Sequence, residues 1–318
     1  PLDGGSSTLD GAVGFLILWV QDTLTMQTEI ELKSTSRKLP ERSNRSQEKI
    51  AHNVDGSPTF PALPQIISLF CGAGGLDWGF HKEGFNIPLA IDISPAAIRT
   101  HKRNFVDTQS VAADLIELGS HGVLKLAKQL IPAKTRIGVI GGPPCQAYSH
   151  VGRARNRGNT EYRPEHDHRH FLYLEYLHVI NEFRPAVFVM ENVKGILSSK
   201  VSERQIFYSI MSDLRRPGRS EATDSGPEYV LVSLSRGATK DSPAPEPEDF
   251  IVEAECYGVP QARHRVIVCG IRRDVFDRIR RAPALAQQTA TSVGDVLADL
   301  PELRPMLSRR GNGMTWSE

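Results

Sequence analysis

Cysteine is scarce in this sequence and never closely paired. The four residues are Cys71, Cys145, Cys256 and Cys269, with no C-x-x-C spacing. That excludes a zinc ribbon and a disulfide framework and fits a reducing cytosol. An excess of one charge is missing too, since 38 Lys and Arg stand against 37 Asp and Glu. Affinity for a polyanion must then reside in a local basic patch rather than in the field of the whole chain. The apolar run Val13–Val20 is too short to span a bilayer and has no basic segment ahead of it, so neither an anchor nor a signal peptide is expected. No internal repeat is visible.

What the chain does have is a cysteine set on a rigid turn. Residues 137–149 read Ile-Gly-Val-Ile-Gly-Gly-Pro-Pro-Cys-Gln-Ala-Tyr-Ser. The apolar, β-branched start predicts a buried strand, which Gly141-Gly142 and Pro143-Pro144 stop abruptly. Cys145 follows at once, at the strand end where open α/β sheets bind ligands. A thiolate adds readily to electron-poor carbon, which makes Cys145 the candidate nucleophile.

Upstream, Gln65–Phe70 predicts a strand, Cys71-Gly-Ala-Gly-Gly75 a glycine turn and Leu76–Glu83 a helix. Strand, turn and helix bring backbone N–H groups to a ligand. The nicotinamide pattern G-x-G-x-x-G fails because Asp77 takes the third glycine position. Pro88–Ile93 predicts a second strand with Asp92 near its end, suited to ribose hydroxyls. Ser94-Pro95 then caps a helix over Ala96–Phe105. Val111–Leu115 predicts a third strand ending near Asp114, and Gly122–Leu130 another helix. This alternation predicts an α/β, doubly wound and mostly parallel sheet.

Past the cysteine, Ser149–Arg169 reads as a loop rich in arginine, suited to clamping phosphates. Its His166-x-His168-x-His170 spacing fits no standard zinc site, and the arginines would repel a cation, so no metal is expected. Phe171–Phe183 predicts a helix, Ala186–Met190 a buried strand, and Glu191-Asn192-Val193 its end. Glu191 thus reaches the same sheet edge as Cys145, where it can exchange a proton with a substrate ring. A helix over Glu203–Arg215 and strands at Tyr229–Leu234, Phe250–Cys256 and Arg265–Ile271 follow, with an exposed insertion at Ser242–Glu248. Arg263 and Arg265 alternate and so share one face of an extended segment.

Four motifs occur in order: Phe70-x-Gly72-x-Gly74, Pro143-Pro-Cys145-Gln146, Glu191-Asn192-Val193 and Gln261-x-Arg263-x-Arg265. Together they resemble the DNA (cytosine-5)-methyltransferases, over about Gln65–Pro301. The resemblance implies a Rossmann-like fold dependent on S-adenosylmethionine, and methyl transfer to C5 of a flipped-out cytosine in DNA. It implies that Cys145 attacks C6 while Glu191 contacts N3, with Arg263 and Arg265 holding the base and the nucleophile's surroundings. By the same resemblance Phe70, Gly72, Ala73, Gly74, Gly75, Asp92, Ile93, Asp114, Leu115, Pro144 and Leu172 hold the cofactor. Gln146, Ser149, Arg153, Arg155, Arg163 and Gln261 are implied on the DNA side.

Ala147-Tyr148 and Arg169-His-Phe-Leu-Tyr173 depart mildly from the family pattern. Gly311-Asn-Gly-Met314 lacks the usual closing motif, so the chain reads as the catalytic part of a longer protein, a truncated gene or half of a split enzyme. The expected division is an arm over 1–64, with Pro1–Thr25 an upstream extension, a catalytic domain over 65–301, and over 302–318 the start of a further region. DNA is the expected partner, with a downstream or separate target-recognition subunit, no membrane, and a bacterial cytosol or nucleoid as the setting, in a restriction-modification system. The open alternatives are an RNA (tRNA) cytosine-5 methyltransferase and a non-catalytic cofactor- or DNA-binding remnant.

Overall fold

The computed structural model describes residues 63–144, 172–201, 204–218 and 226–300. Its first strand, β1 (Gln65–Leu69), sets the plan: Ile67 and Leu69 point to one face and Ile66 to the other, into separate cores. Period-two alternation does this wherever both faces of a strand are covered. The glycine turn then leads into α1 (Gly75–Lys82), β2 (Leu89–Asp92), α2 (Pro95–Asn104), β3 (Gln109–Ala112), α3 (Leu115–Leu130) and β4 (Ile137–Gly141). After α4 (Leu172–Phe183) come β5 (Val187–Val193), a ribbon of β6 (Lys200–Val201) with β7 (Arg204–Gln205), and α5 (Ile206–Arg215). The remaining elements are β8 (Tyr229–Val232), β9 (Ala238–Thr239), β10 (Ile251–Glu253), β11 (His264–Arg272), α6 (Arg273–Ile279), β12 (Arg281–Ala282) and α7 (Val293–Leu297).

The main sheet runs β3-β2-β1-β4-β5 with every neighbour parallel, and β11 joins β5 antiparallel. Both β10 and β8 pair with the other edge of β11, at opposite ends of it, and β9 pairs with β12 separately. Helices α3, α4 and α5 cover one face through Val123, Tyr176, Ile180 and Phe207. Helices α1 and α6 cover the other through Phe80, Val275 and Phe276, and Ile98 of α2 packs on Ala90 of β2. The fold is therefore doubly wound, and the strand order reverses between β1 and β4. Such a reversal splays the two following connections apart and opens a crevice at the carboxyl ends of the strands.

Three boundaries differ from the sequence reading in ways that matter. The third strand ends at Ala112, and Asp114 instead caps α3, accepting from Ile116 N at 2.8 Å. Strand β5 continues through Glu191 and Asn192, because β11 pairs with it over that whole length. The strand expected over Phe250–Cys256 ends at Glu253 and passes into a 3-10 turn over Ala254–Tyr257. Packing also begins ahead of residue 65: Pro64 is buried and Leu63 lies against the second core. Among the described residues no helix is long and apolar enough to cross a membrane.

Candidate active site

The crevice between β1 and β4 opens into a cleft of about 670 Å³. One wall is the glycine turn, where Phe70, Gly72 and Gly74 have φ of +55°, +55° and +96°. Left-handed backbone at alternate positions suits glycine and costs Phe70 strain of about 1–3 kcal/mol, the sort of distortion that gathers at ligand sites. Asp92 fixes this shape from the neighbouring strand. Its Oδ2 accepts from Gly72 N at 2.9 Å and its Oδ1 from Ser94 N at 2.8 Å. Ser94 in turn caps α2 through Ala97 N at 3.3 Å, with Pro95 in the first turn, so cap and acid occupy adjacent positions without conflict.

The opposite wall carries Glu191, Arg263 and Arg265. Arg265 Nε lies 2.9 Å from Glu191 Oε1. The N–H is not directed at that oxygen, so the contact is an ion pair and not an aligned hydrogen bond. Arg265 Nη1 donates to His264 O at 2.8 Å, which turns the guanidinium along the strand. Desolvation raises the Glu191 carboxyl above its usual range, and the opposing pull of Arg265 and Arg263 does not cancel it. A carboxyl whose burial disfavours the charged form is better suited to carrying a proton to a substrate than a solvated one.

The segment leading to Cys145 starts against this glutamate. A Cβ on Gly142 would stand 3.1 Å from Glu191 Oε2, so the turn can pass here only as glycine or with a displaced carboxylate. Asn192, buried behind it, donates from Nδ2 to Pro143 O at 3.1 Å. The thiols of the described cysteines are all shifted towards their protonated form. Burial raises the thiols of Cys71 and Cys269 far above their ordinary value, and Asp77 and Asp92 add to this at Cys71. Partial desolvation and the charges of Glu253 and Glu255 raise Cys256. No group of His, Cys, Asp and Glu among the described residues is placed to hold a metal ion.

The profile of the C-5 cytosine-specific DNA methylase family matches residues 64–218. The type II methyltransferase M.AquIA of Picosynechococcus sp. is 34% identical over 209 residues, which are 65% of this chain and 72% of that protein. The chain belongs to the C-5 cytosine-specific DNA methylases. The type II methyltransferase M.XorII of Xanthomonas oryzae pv. oryzae is 31% identical over 240 residues, 75% of this chain but 47% of that protein. A crystal structure of an E. coli prophage protein assigned as a DNA modification methyltransferase shares the fold, with a TM-score of 0.51 at 24% identity. It is matched over 76% of this chain and 56% of its own. The chain thus spans about half the length of several relatives it matches.

Within this family member the expected site residues fall along one sheet edge. In strand order they run Asp114, Asp92, the Phe70–Gly75 turn, Gly142 and Glu191, ending at Arg265 on β11. Phe70, Ala73, Gly74, Gly75, Glu191, Gln261, Arg263 and Arg265 line the cleft together. Gly72, Asp92, Ile93, Asp114, Leu115, Pro144 and Leu172 are not in its lining. Of these, Leu115 is buried in the first core and Ile93 stands 66% exposed beside Asp92, an apolar side chain with an open face. Cys145, Gln146, Ser149, Arg153, Arg155 and Arg163 lie outside the described residues. The sequence reading gave no role to Asn192, nor to Trp78, which lines the cleft 42% exposed with its ring edge-on to Phe105 at 6.2 Å. It also missed the pairing of Asp77 with His101. Asp77 had registered only as the residue that breaks a glycine pattern.

Proposed function

We propose that this chain transfers a methyl group to C5 of a flipped-out cytosine in DNA, as the modification enzyme of a restriction-modification system. The observation that carries this reading is the single cleft that joins the glycine turn to Glu191, with Gly142 against the same carboxylate. Cys145 follows Pro144 in sequence at the end of that turn, and the other three thiols are shifted towards their protonated form, which favours Cys145 as the nucleophile.

S-adenosylmethionine fits the donor set, and when bound it supplies an electrophilic methyl on a sulfonium sulfur. Its amino-acid end would meet the start of α1, where no side chain caps the helix. Asp92 has its carboxylate at the end of β2 for ribose hydroxyls, and the exposed Ile93 beside it offers an apolar surface to a purine. Asp114, already holding Ile116 N, keeps its other oxygen for an exocyclic amine.

The chain's own residues then act on the base. The Cys145 thiolate forms a bond to C6, and the electron pair displaced from the C5–C6 double bond moves into the ring towards N3. Glu191 donates its proton at N3, so C5 becomes an enamine carbon able to take up an electrophile. Arg265 holds Glu191 in place and neutralises it once the proton has left. Loss of the C5 proton to a base restores the double bond and expels Cys145, and the N3 proton returns to Glu191. Flipping is needed because C5 and C6 are stacked inside a duplex. Target recognition is assigned to a region beyond the catalytic unit, in this chain or a companion.

A duplex carrying 5-fluorocytosine tests the reading. With fluorine in place of the C5 proton the last step fails, so a denaturation-resistant protein–DNA adduct should accumulate only when S-adenosylmethionine is present. Methylation without an adduct would sink the covalent route, and no transfer to any duplex would sink the activity.

A further inference from the structure

Four buried side chains form one hydrogen-bonded chain beneath the glycine turn. Ser68 Oγ donates to Asp77 Oδ1 at 2.7 Å, His101 Nε2 lies 2.8 Å from Asp77 Oδ2, and His101 Nδ1 lies 2.8 Å from Ser110 Oγ. They come from β1, α1, α2 and β3, and the most exposed, Ser110, is 4% accessible. Both oxygens of a carboxylate can only accept, so Nε2 of His101 carries a hydrogen and donates it to Asp77. The imidazole stacks on Phe105 with centroids 4.4 Å apart. The turn rests on that stack: a Cβ on Gly74 would meet the Phe105 ring at 2.2 Å and His101 at 3.1 Å.

Asp77 sits in the first turn of α1, yet no side chain caps that end of the helix. A negative side chain in the first turn is attracted to the exposed N–H groups at the helix start. Here two buried donors hold the carboxylate in the interior instead. The first-turn residues Gly75 and Leu76 line the cleft, with backbone N–H groups that the helix itself does not use.

We propose that His101 is a positioning residue for the cofactor site: it keeps the Asp77 carboxylate inside, so that the start of α1 is free to receive the carboxylate of an amino-acid-bearing ligand. The proposal rests on the cofactor reading above. A released Asp77 would compete for the same N–H groups and would repel a ligand carboxylate, whereas a ligand without that group would lose little.

The test compares S-adenosylhomocysteine with 5′-methylthioadenosine, which keeps the nucleoside thioether and lacks the amino-acid end. His101→Asn places its amide towards Ser110 and cannot reach Asp77, while His101→Gln can. By titration calorimetry, His101→Asn should weaken S-adenosylhomocysteine about tenfold or more and 5′-methylthioadenosine less than about threefold. His101→Gln should hold both affinities near the parent's, and adding Asp77→Asn to His101→Asn should restore most of the loss. Ser68→Ala, which removes the other donor with little change of volume, should show the same selectivity more weakly and stands in if His101→Asn fails to fold. Equal losses for the two ligands in the folded variants, or none for either, would overturn the proposal. A parent chain that binds neither ligand would overturn the cofactor reading and this role with it.

Discussion

Asn192 donates from its side-chain amide to the carbonyl of Pro143, 3.1 Å away, and so ties the strand bearing Glu191 to the turn that leads to Cys145. Its own Oδ1 accepts from Val193 N at 2.8 Å, which fixes the rotamer. The proposed acid and nucleophile stand 46 residues apart in sequence, and this bond joins their supports.

Replacing Asn192 should therefore affect chemistry more than cofactor binding. Asn192→Ala leaves the buried Pro143 carbonyl without its donor, at a cost of about 1–3 kcal/mol in denaturant unfolding. Asn192→Asp sets an oxygen against an oxygen and should cost more. Both should slow adduct formation on 5-fluorocytosine DNA by about tenfold or more, since small misplacements of reacting groups are expensive. Affinity for S-adenosylhomocysteine should stay near the parent's. An Asn192→Asp chain that traps DNA at the parent's rate would remove the tie from the mechanism.

Glu191 gives a prediction with a definite sign. Desolvation raises its carboxyl above the ordinary value of 4.5, so the folded chain keeps a proton that the unfolded chain has released. That contribution to stability is complete below the ordinary value and is lost as pH rises through the raised one. The proton needed at N3 disappears over the same range. The single-turnover rate of the parent, divided by that of Glu191→Gln, should fall as pH rises across this window, because the thiol's own titration is common to both. At the lower end Glu191→Gln should be slower by about a hundredfold. A ratio independent of pH would mean that Glu191 does not act as an acid.

The parts of this site that were legible in the sequence are the parts encoded locally. Glycines at Gly72 and Gly74 announce a left-handed turn, and the paired prolines after Gly142 announce a rigid one. Arg263 and Arg265 reveal a shared wall by their period of two. What was missed depends on partners far along the chain. Glu191-Asn192 looks like a strand end because two polar residues follow an apolar run, yet Ile267 and Val266 of β11 pair with them and extend the strand. The run Val111–Leu115 merges the end of β3 with the first buried residue of α3, and the capping role of Asp114 marks the true division. Asp77 and His101 lie 24 residues apart on different helices, and no local pattern relates them.

Two adjacent glycines separate folding from ligand contact. At Gly74, with φ of +96° and the Phe105 ring 2.2 Å from a built Cβ, alanine meets both backbone strain and a collision. Gly74→Ala should lower stability by about 1–3 kcal/mol in denaturant unfolding. A Cβ on Gly75 meets no atom within 4 Å, so Gly75→Ala should unfold like the parent. Because Gly75 lines the cleft at the start of α1, that same methyl should weaken S-adenosylhomocysteine in calorimetry. Unchanged affinity in Gly75→Ala would move the amino-acid end of the cofactor away from this helix.

The last prediction separates two cysteines that both stand beside glycine turns. Cys71 lines the cleft, yet burial and the charges of Asp77 and Asp92 hold its thiol protonated, and its sulfur leans on Gly72 O at 3.6 Å. Only the thiolate is a nucleophile, so Cys71 should play no covalent part. Cys71→Ala should form the 5-fluorocytosine adduct in full yield, with a modest loss of stability from the small cavity left by the sulfur. Cys145→Ser should form none and should still bind S-adenosylhomocysteine within a few-fold of the parent. Peptide mapping of the trapped complex should place the modified nucleotide on the peptide containing Cys145. An adduct mapped to Cys71, or one that survives in Cys145→Ser, would reassign the nucleophile and with it the role of the Pro143-Pro144 turn.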